Sequence, residues 1–210
     1  MKINRLVLAS TSPYRKALLE RVGIYVETAS PTADEDKIDA ETPSLLALAR
    51  SEGKGLSLTG QPEATLALAA DQVMEFEGRS YGKAFDRTTA FQQLMAMQGK
   101  AHKLHSAYSL VLYNPEAGAP RLLRSRLVTA CMTMRSLTAG EIEAYLDTDE
   151  WKGCAGSYQF EHRGLHLFGE VDGDLDTIVG LPLRPLLQDF RDLGLNLLTH
   201  PRGPWSLLEV

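Results

Sequence analysis

The sequence predicts a mixed α/β (α+β) protein built on a twisted sheet, and three stretches carry that expectation. An apolar strand at Leu6–Ala9 runs through a Ser-Thr-Ser turn into a helix. Thr65–Ala70 is a near-continuous apolar run, the pattern of a strand buried on both faces. Leu104–Tyr113 and Leu122–Met134 read as two long strands around the loop Asn114-Pro115-Glu116-Ala117-Gly118. Strands and helices interleaved in this order suit a sheet with helices packed on it.

From the amino terminus, the first predicted helix spans Pro13–Val22. Ser12 suits its cap because a hydroxyl accepts from an otherwise unpaired N–H. Pro13 suits its first position because proline has no N–H to lose, and Gly23 suits its end. Arg15 and Lys16 fall in the first turn, where cations oppose the positive end of the helix dipole at a cost of roughly 0.3–1 kcal/mol. An anion bound there reverses that sign, and phosphate is the natural guest. Surface cations also occur at such positions without a ligand, so other residues have to agree.

Ile24–Glu27 reads as a second strand. Residues 31–43 are polar and acidic, and the spacing of Leu45, Leu46, Leu48 and Ala49 starts a helix near Ser44 that runs to about Leu58. The buried run that begins at Thr65 ends at Asp71-Gln72, before Val73, Met74 and Phe76 resume it. A carboxylate leaving a core strand meets solvent at the sheet's edge, where the ligands of open sheets collect. Glu77-Gly78-Arg79 is a turn, Asp86 caps a helix to about Met97, and Thr138 with Glu141 forms a capping box for Ala139–Leu146. Residues 151–170 are glycine-punctuated and strand-like, and Val179-Gly180-Leu181-Pro182 opens a last helix to Leu193. Residues 1–198 are expected to form one domain, with a loosely held tail at 199–210.

With 210 residues and 44% hydrophobic content, the chain can bury a large core. A net charge of -5 gives no broad basic face, which argues against nucleic acid as partner and leaves room for a local basic pocket. Cys131 and Cys154 are too few and too far apart for a disulfide framework, so a reducing cytoplasm fits. No apolar run approaches the ~20 residues a membrane helix needs, and no signal peptide is legible. The pairs His102/His105 and His162/His166 lack a third ligand for zinc. Asp172, Asp174 and Asp176 fail as a calcium loop because Thr177 and Leu183 stand where glycine and glutamate are needed.

Three features converge: the Ser-Thr-Ser-Pro turn with Arg15, Asp71 at a strand end, and Gly82-Lys83 after a turn. In LASTSPYRKALL near the start, ADE at 33–35, AADQV at 69–73, GK at 82–83, CAGSYQFE at 154–161 and DTIVGLPL at 176–183, the chain resembles the Maf family of nucleotide pyrophosphatases. The segments keep the family's order and cover most of residues 5–193. The resemblance implies an elongated fold shared with inosine triphosphate pyrophosphatases, two lobes flanking a cleft, and a homodimer. It also implies hydrolysis of a nucleoside triphosphate to a monophosphate and pyrophosphate, with Mg2+ or Mn2+ as cofactor. The family's catalytic acid falls on Asp71, its phosphate-binding positions on Ser10, Ser12, Arg15, Lys54 and Lys83, and its metal-linked acids on Glu35 and Asp71.

Three specificity positions fall on Tyr14, Gln72 and Glu161, closest to the family's 7-methyl-GTP pyrophosphatase branch, which usually has tryptophan where Tyr14 stands. N7 methylation makes guanine cationic, so an aromatic face and a carboxylate suit it, and Gln72 can donate to and accept from a remaining edge. The alternatives are a dTTP/UTP pyrophosphatase of the same family and a nucleotide-binding regulator with little turnover. Two departures bear on the latter. Ala84 follows Lys83 where the family has proline, and Gly53 separates Glu52 from Lys54, which the family places side by side. One residue turns a helix by ~100°, so both side chains keep the family's directions only if the helix bulges.

Overall fold

The structure, a computed structural model, describes residues 1–208. Its strands are β1 (Lys2–Ile3), β2 (Arg5–Ala9), β3 (Glu27–Ala29), β4 (Thr65–Phe76), β5 (Arg79–Tyr81), β6 (Ala101–Tyr113), β7 (Arg121–Met134), β8 (Phe168–Asp172) and β9 (Trp205–Ser206). Its α-helices are α1 (Pro13–Arg21), α2 (Pro43–Leu56), α3 (Arg87–Met97), α4 (Ala139–Leu146), α5 (Leu175–Val179) and α6 (Leu183–Asp192). The main sheet runs β3-β2-β4-β6-β7-β8, with β5 folded back onto β4. β2 lies parallel to β3 and β4, and the other pairs of this sheet are antiparallel, so the sheet is mixed.

Local chemistry sets the helix starts as expected. Ser12, Thr42 and Asp86 each accept from a first-turn N–H, and Thr138 with Glu141 closes the capping box. Tertiary structure moves four boundaries. The strand expected at Ile24–Glu27 begins only at Glu27, because Gly23 and Ile24 donate back to Glu20 and Leu19 to close α1. Residues 151–167 form turns and a 3-10 segment, because Gly153, Gly156 and Ser157 adopt positive φ, and only Phe168–Asp172 is extended. The last helix, α6, starts only after Pro182, and Val179 and Gly180, expected at its opening, instead end a separate short helix, α5, with Gly180 at φ 111°. The strand expected to end at Asp71 runs through to Phe76.

Alternation along β4 separates two layers. Leu66, Leu68 and Ala70 enter a core with Leu18, Leu19, Leu186 and Phe190 of α1 and α6. Ala67 and Ala69 point to the other face, where α2 lies, as does Val73, which packs with Ala47 of α2. Farther along the same long strands, Met74, Leu104 and Met132 join a second core with α3, α4 and Trp151. Two lobes thus share β4, β6 and β7. A buried carboxylate pins α6 to the first lobe. Asp189 accepts from Tyr108 Oη at 2.6 Å and from Arg126 Nε and Nη2 at 2.7 Å each. Burial alone raises a carboxyl pKa, but these donors more than offset it and hold Asp189 below its ordinary value. In the tail, residues 199–202 are exposed, but Trp205 and Leu207 are buried, and β9 pairs with β1, so that part is tied to the body rather than loosely held. Among the described residues, no helix is long and apolar enough to cross a membrane.

Two predictions follow from the packing. His102 is buried on β6 with Nε2 2.8 Å from Tyr158 Oη and Nδ1 unpartnered, and burial pushes its pKa from 6.5 down to about 4. The unfolded chain therefore binds a proton that the folded chain refuses between those values, and stability falls as pH drops through that window, by roughly 3 kcal/mol in all. His102→Gln should flatten the pH dependence of the urea-unfolding free energy between pH 6.5 and 4, and an unchanged slope would refute this. At Gly55, an added Cβ would lie 2.7 Å from Val111 Cγ2 and 2.9 Å from Ser109 Oγ. Gly55→Ala should cost about 1–3 kcal/mol in the same melts.

Candidate functional site

The site begins with an incomplete edge. β2 pairs with β4 only as far as Ala9/Ala69, and β5 joins that edge only at Tyr81/Met74. Between them, from Ala70 to Val73, neither strand covers β4, while β6 continues along its other edge, opposite Asp71 at Ala107. The chain leaving β2 turns at Ser10-Thr11-Ser12 beside this gap, and a cleft of about 720 Å³ opens there. All ten residues singled out in the sequence line it: Ser10, Ser12, Tyr14, Arg15, Glu35, Lys54, Asp71, Gln72, Lys83 and Glu161. The first six residue positions in that series up to Lys54 belong to the lobe of α1 and α2, and Lys83 and Glu161 to the other.

Arg15 is held on three sides. Its backbone N–H meets Ser12 Oγ at 3.5 Å, Nη1 donates to Ser10 Oγ at 3.3 Å, and Nε donates to Gly180 O at 3.1 Å, at the C-terminal end of α5. The Ser12 N–H donates to Ser10 Oγ at 3.2 Å, which tightens the turn. Burial lowers the Arg15 pKa, and the charges of Asp71 and Glu35 oppose that shift. An ion pair between Arg21 and Asp176 also ties α1 to α5.

Opposite lies Lys54, 6% exposed, on the face of α2 that meets β4. Its Nζ is 2.6 Å from Asp71 Oδ1 and 3.0 Å from Glu35 Oε2, so one ammonium sits between two carboxylates. Gly53 produces no bulge: α2 is a continuous α-helix from Pro43 to Leu56. Both glycines of this turn serve close approach, since a Cβ at Gly53 would lie 2.8 Å from Ile38 Cδ1, and Gly55 abuts Val111. Asp71 Oδ2 is buried with no hydrogen-bond partner. An unpaired carboxylate oxygen beside a second carboxylate is the oxygen donor set that a hard divalent cation accepts, with phosphate oxygens and water completing its shell. Asp71 and Glu35 therefore fit a divalent metal.

The remaining residues divide. Tyr14 is 39% exposed at the cleft mouth, and burial together with the charges of Cys154 and Glu161 raises its pKa. Glu161 is exposed and makes no ion pair among the described residues. Lys83 is exposed and anchored by a backbone bridge to Ala155, while Ala84 is buried against the second core, so the Ala84 departure leaves the lysine presented to the cleft. Gln72 differs from expectation. It points to the face opposite Asp71, and its two Nε2–H groups are shared among Ser106 Oγ at 2.8 Å, Thr177 O at 3.0 Å and Ile178 O at 2.9 Å. Its donor capacity is spent on β6 and α5, which leaves the carbonyl oxygen to meet a ligand. The sequence reading missed Arg50, one helical turn before Lys54, which also lines the cleft. Its spacing of four from Lys54 was the available signal.

The family model described as Maf-like protein matches residues 5–193. A 7-methyl-GTP pyrophosphatase of Xanthomonas oryzae pv. oryzae (strain MAFF 311018) is 36% identical over 92% of this chain and 98% of that protein. A 7-methyl-GTP pyrophosphatase of Vibrio vulnificus (strain CMCP6) is 36% identical over 94% of this chain and all of that protein, covered at 100%. A nucleoside triphosphate pyrophosphatase of Rhodopseudomonas palustris (strain BisB18) is 38% identical over 89% and 92%. With the family model spanning both lobes and the cleft between them, the chain belongs to the Maf-like protein family.

Proposed function

We propose that this protein is a nucleoside triphosphate pyrophosphatase that acts on 7-methyl-GTP. Water attacks the α-phosphorus, the bond to the bridging oxygen of the β-phosphate breaks, and a nucleoside monophosphate and pyrophosphate leave. The observation that carries this reading is the Asp71 carboxylate. One oxygen is held by Lys54 at 2.6 Å, and the other is buried, unpartnered and part of the cleft wall. A carboxylate fixed in that way can orient a water and take its proton.

Ser10 and Ser12, in the turn that opens α1, line the cleft beside the Arg15 guanidinium, which suits the phosphate chain. Lys83 approaches from the other lobe with no ion pair of its own among the described residues. Mg2+ or Mn2+ held by Glu35 and Asp71 would offset charge on the triphosphate and on the departing pyrophosphate. At the other end, the Tyr14 ring and the Glu161 carboxylate suit a cationic, N7-methylated guanine: the ring offers its face, and the carboxylate accepts from N1–H and the exocyclic amine. The names of the Xanthomonas and Vibrio relatives support this base, and that of the Rhodopseudomonas relative supports the bond cleaved.

Asp71→Asn, checked by thermal melts to be folded, should lower kcat at least ~100-fold, the scale of removing a positioned proton acceptor. Pyrophosphate release measured with Mg2+ or Mn2+ tests it, and full activity of the variant would discard Asp71 as the proton acceptor. Across 7-methyl-GTP, GTP, dTTP, UTP and CTP, kcat/KM should favour 7-methyl-GTP by about tenfold or more, which corresponds to ~1.4 kcal/mol of discrimination. Glu161→Gln should erase most of that preference. A flat profile for the parent protein would remove the base assignment and leave the hydrolysis standing.

A further inference from the structure

We propose that Arg50 is a further binding residue of this cleft, one that grips the outer phosphates of the substrate and then the pyrophosphate product; this rests on the triphosphate reading above. Arg50 lies on α2 one turn before Lys54 and, with Leu46, continues the helix face that lines the cleft. Its side chain makes no hydrogen bond or ion pair among the described residues, and its Nε is buried without a partner. The other cations near it are engaged. Lys54 is bound by Asp71 and Glu35, and Arg15 donates to Gly180 O and Ser10 Oγ.

A half-buried guanidinium with an orphaned donor is a poor structural choice on a helix face that also carries Leu46, where an aliphatic side chain would bury without loss. A ligand that accepts from it removes the penalty. The guanidinium fork matches two oxygens of a phosphate, which a lysine at the same place would not. Direction follows from the rest of the cleft. Tyr14 and Glu161 take the base and Asp71 the α-phosphorus, so the β- and γ-phosphates continue along α2, past Lys54 to Arg50. In the sequence only its spacing of four from Lys54 hints at this role, because an arginine in an amphipathic helix reads as a solvated face.

The test compares Arg50→Ala, Arg50→Gln and Arg50→Lys with the parent protein, after thermal melts establish which variants fold. Calorimetry with inorganic pyrophosphate in magnesium should show at least a tenfold loss of affinity in the Ala and Gln variants and a smaller loss in the Lys variant. Affinity for the nucleoside monophosphate should stay within twofold of the parent. For the triphosphate, KM should rise at least tenfold. Unchanged pyrophosphate affinity in a folded Ala or Gln variant overturns the proposal, and so does an equal loss for monophosphate and pyrophosphate, which would mean that the whole cleft had shifted. If the parent protein releases no pyrophosphate from any triphosphate yet Arg50→Ala still loses pyrophosphate affinity, the activity reading fails and the anion-binding role of Arg50 stands.

Discussion

The architecture depends on one strand that is longer than its neighbour. β4 has to reach from the first lobe into the second, while β2 stops at Ala9 and β5 begins only opposite Met74. The uncovered stretch between them is where a cleft can form without breaking the sheet, because β6 supports β4 along its full length on the other side. Pleat alternation then assigns opposite jobs to adjacent residues. Asp71 faces α2 and Lys54, and Gln72 faces α5 and its carbonyls. A site built on the middle of a paired strand is held more rigidly than one built on a loop, which suits chemistry that requires fixed geometry.

Charge is the second organising constraint. Arg15, Arg50, Lys54 and Lys83 line the same cleft as Glu35, Asp36, Asp71 and Glu161, so a chain of net charge -5 sets four cations among four acids where a polyanion would sit. The cations are not equivalent. Lys54 is neutralised locally by two carboxylates and organises them, Arg15 is anchored by a helix end and a serine, and Lys83 and Arg50 remain open to a ligand. This division separates residues that shape the site from residues that can respond to what enters it.

The sequence was informative wherever chemistry is local. Caps at Ser12, Thr42, Asp86 and Thr138 act over three residues, so helix starts are legible along the chain, and the start of α2, expected near Ser44 from its apolar spacing alone, falls at Pro43 after the Thr42 cap. Glycines misled in both directions. Gly180 was read inside a helix start and in fact closes α5, and Gly53 was read as a disruption and in fact lets α2 approach Ile38. Residues 151–170 read as glycine-punctuated and strand-like, yet positive φ at Gly153, Gly156 and Ser157 turns the chain repeatedly before Phe168.

By itself, the sequence determined the kind of fold, the capped helix starts and the set of residues that meet at the cleft, because turn chemistry, periodicity and an ordered series of motifs are all written along the chain. Only the tertiary structure decided what those residues do to one another. That Lys54 bridges Glu35 and Asp71, that Gln72 spends its donors on β6 and α5 and that Arg50 is left with an unpartnered nitrogen are facts about partners far apart in sequence, set by strand register and helix packing. Hydrogen bonds and ion pairs act over about 3 Å, and which groups come within that distance is fixed only when the chain is folded.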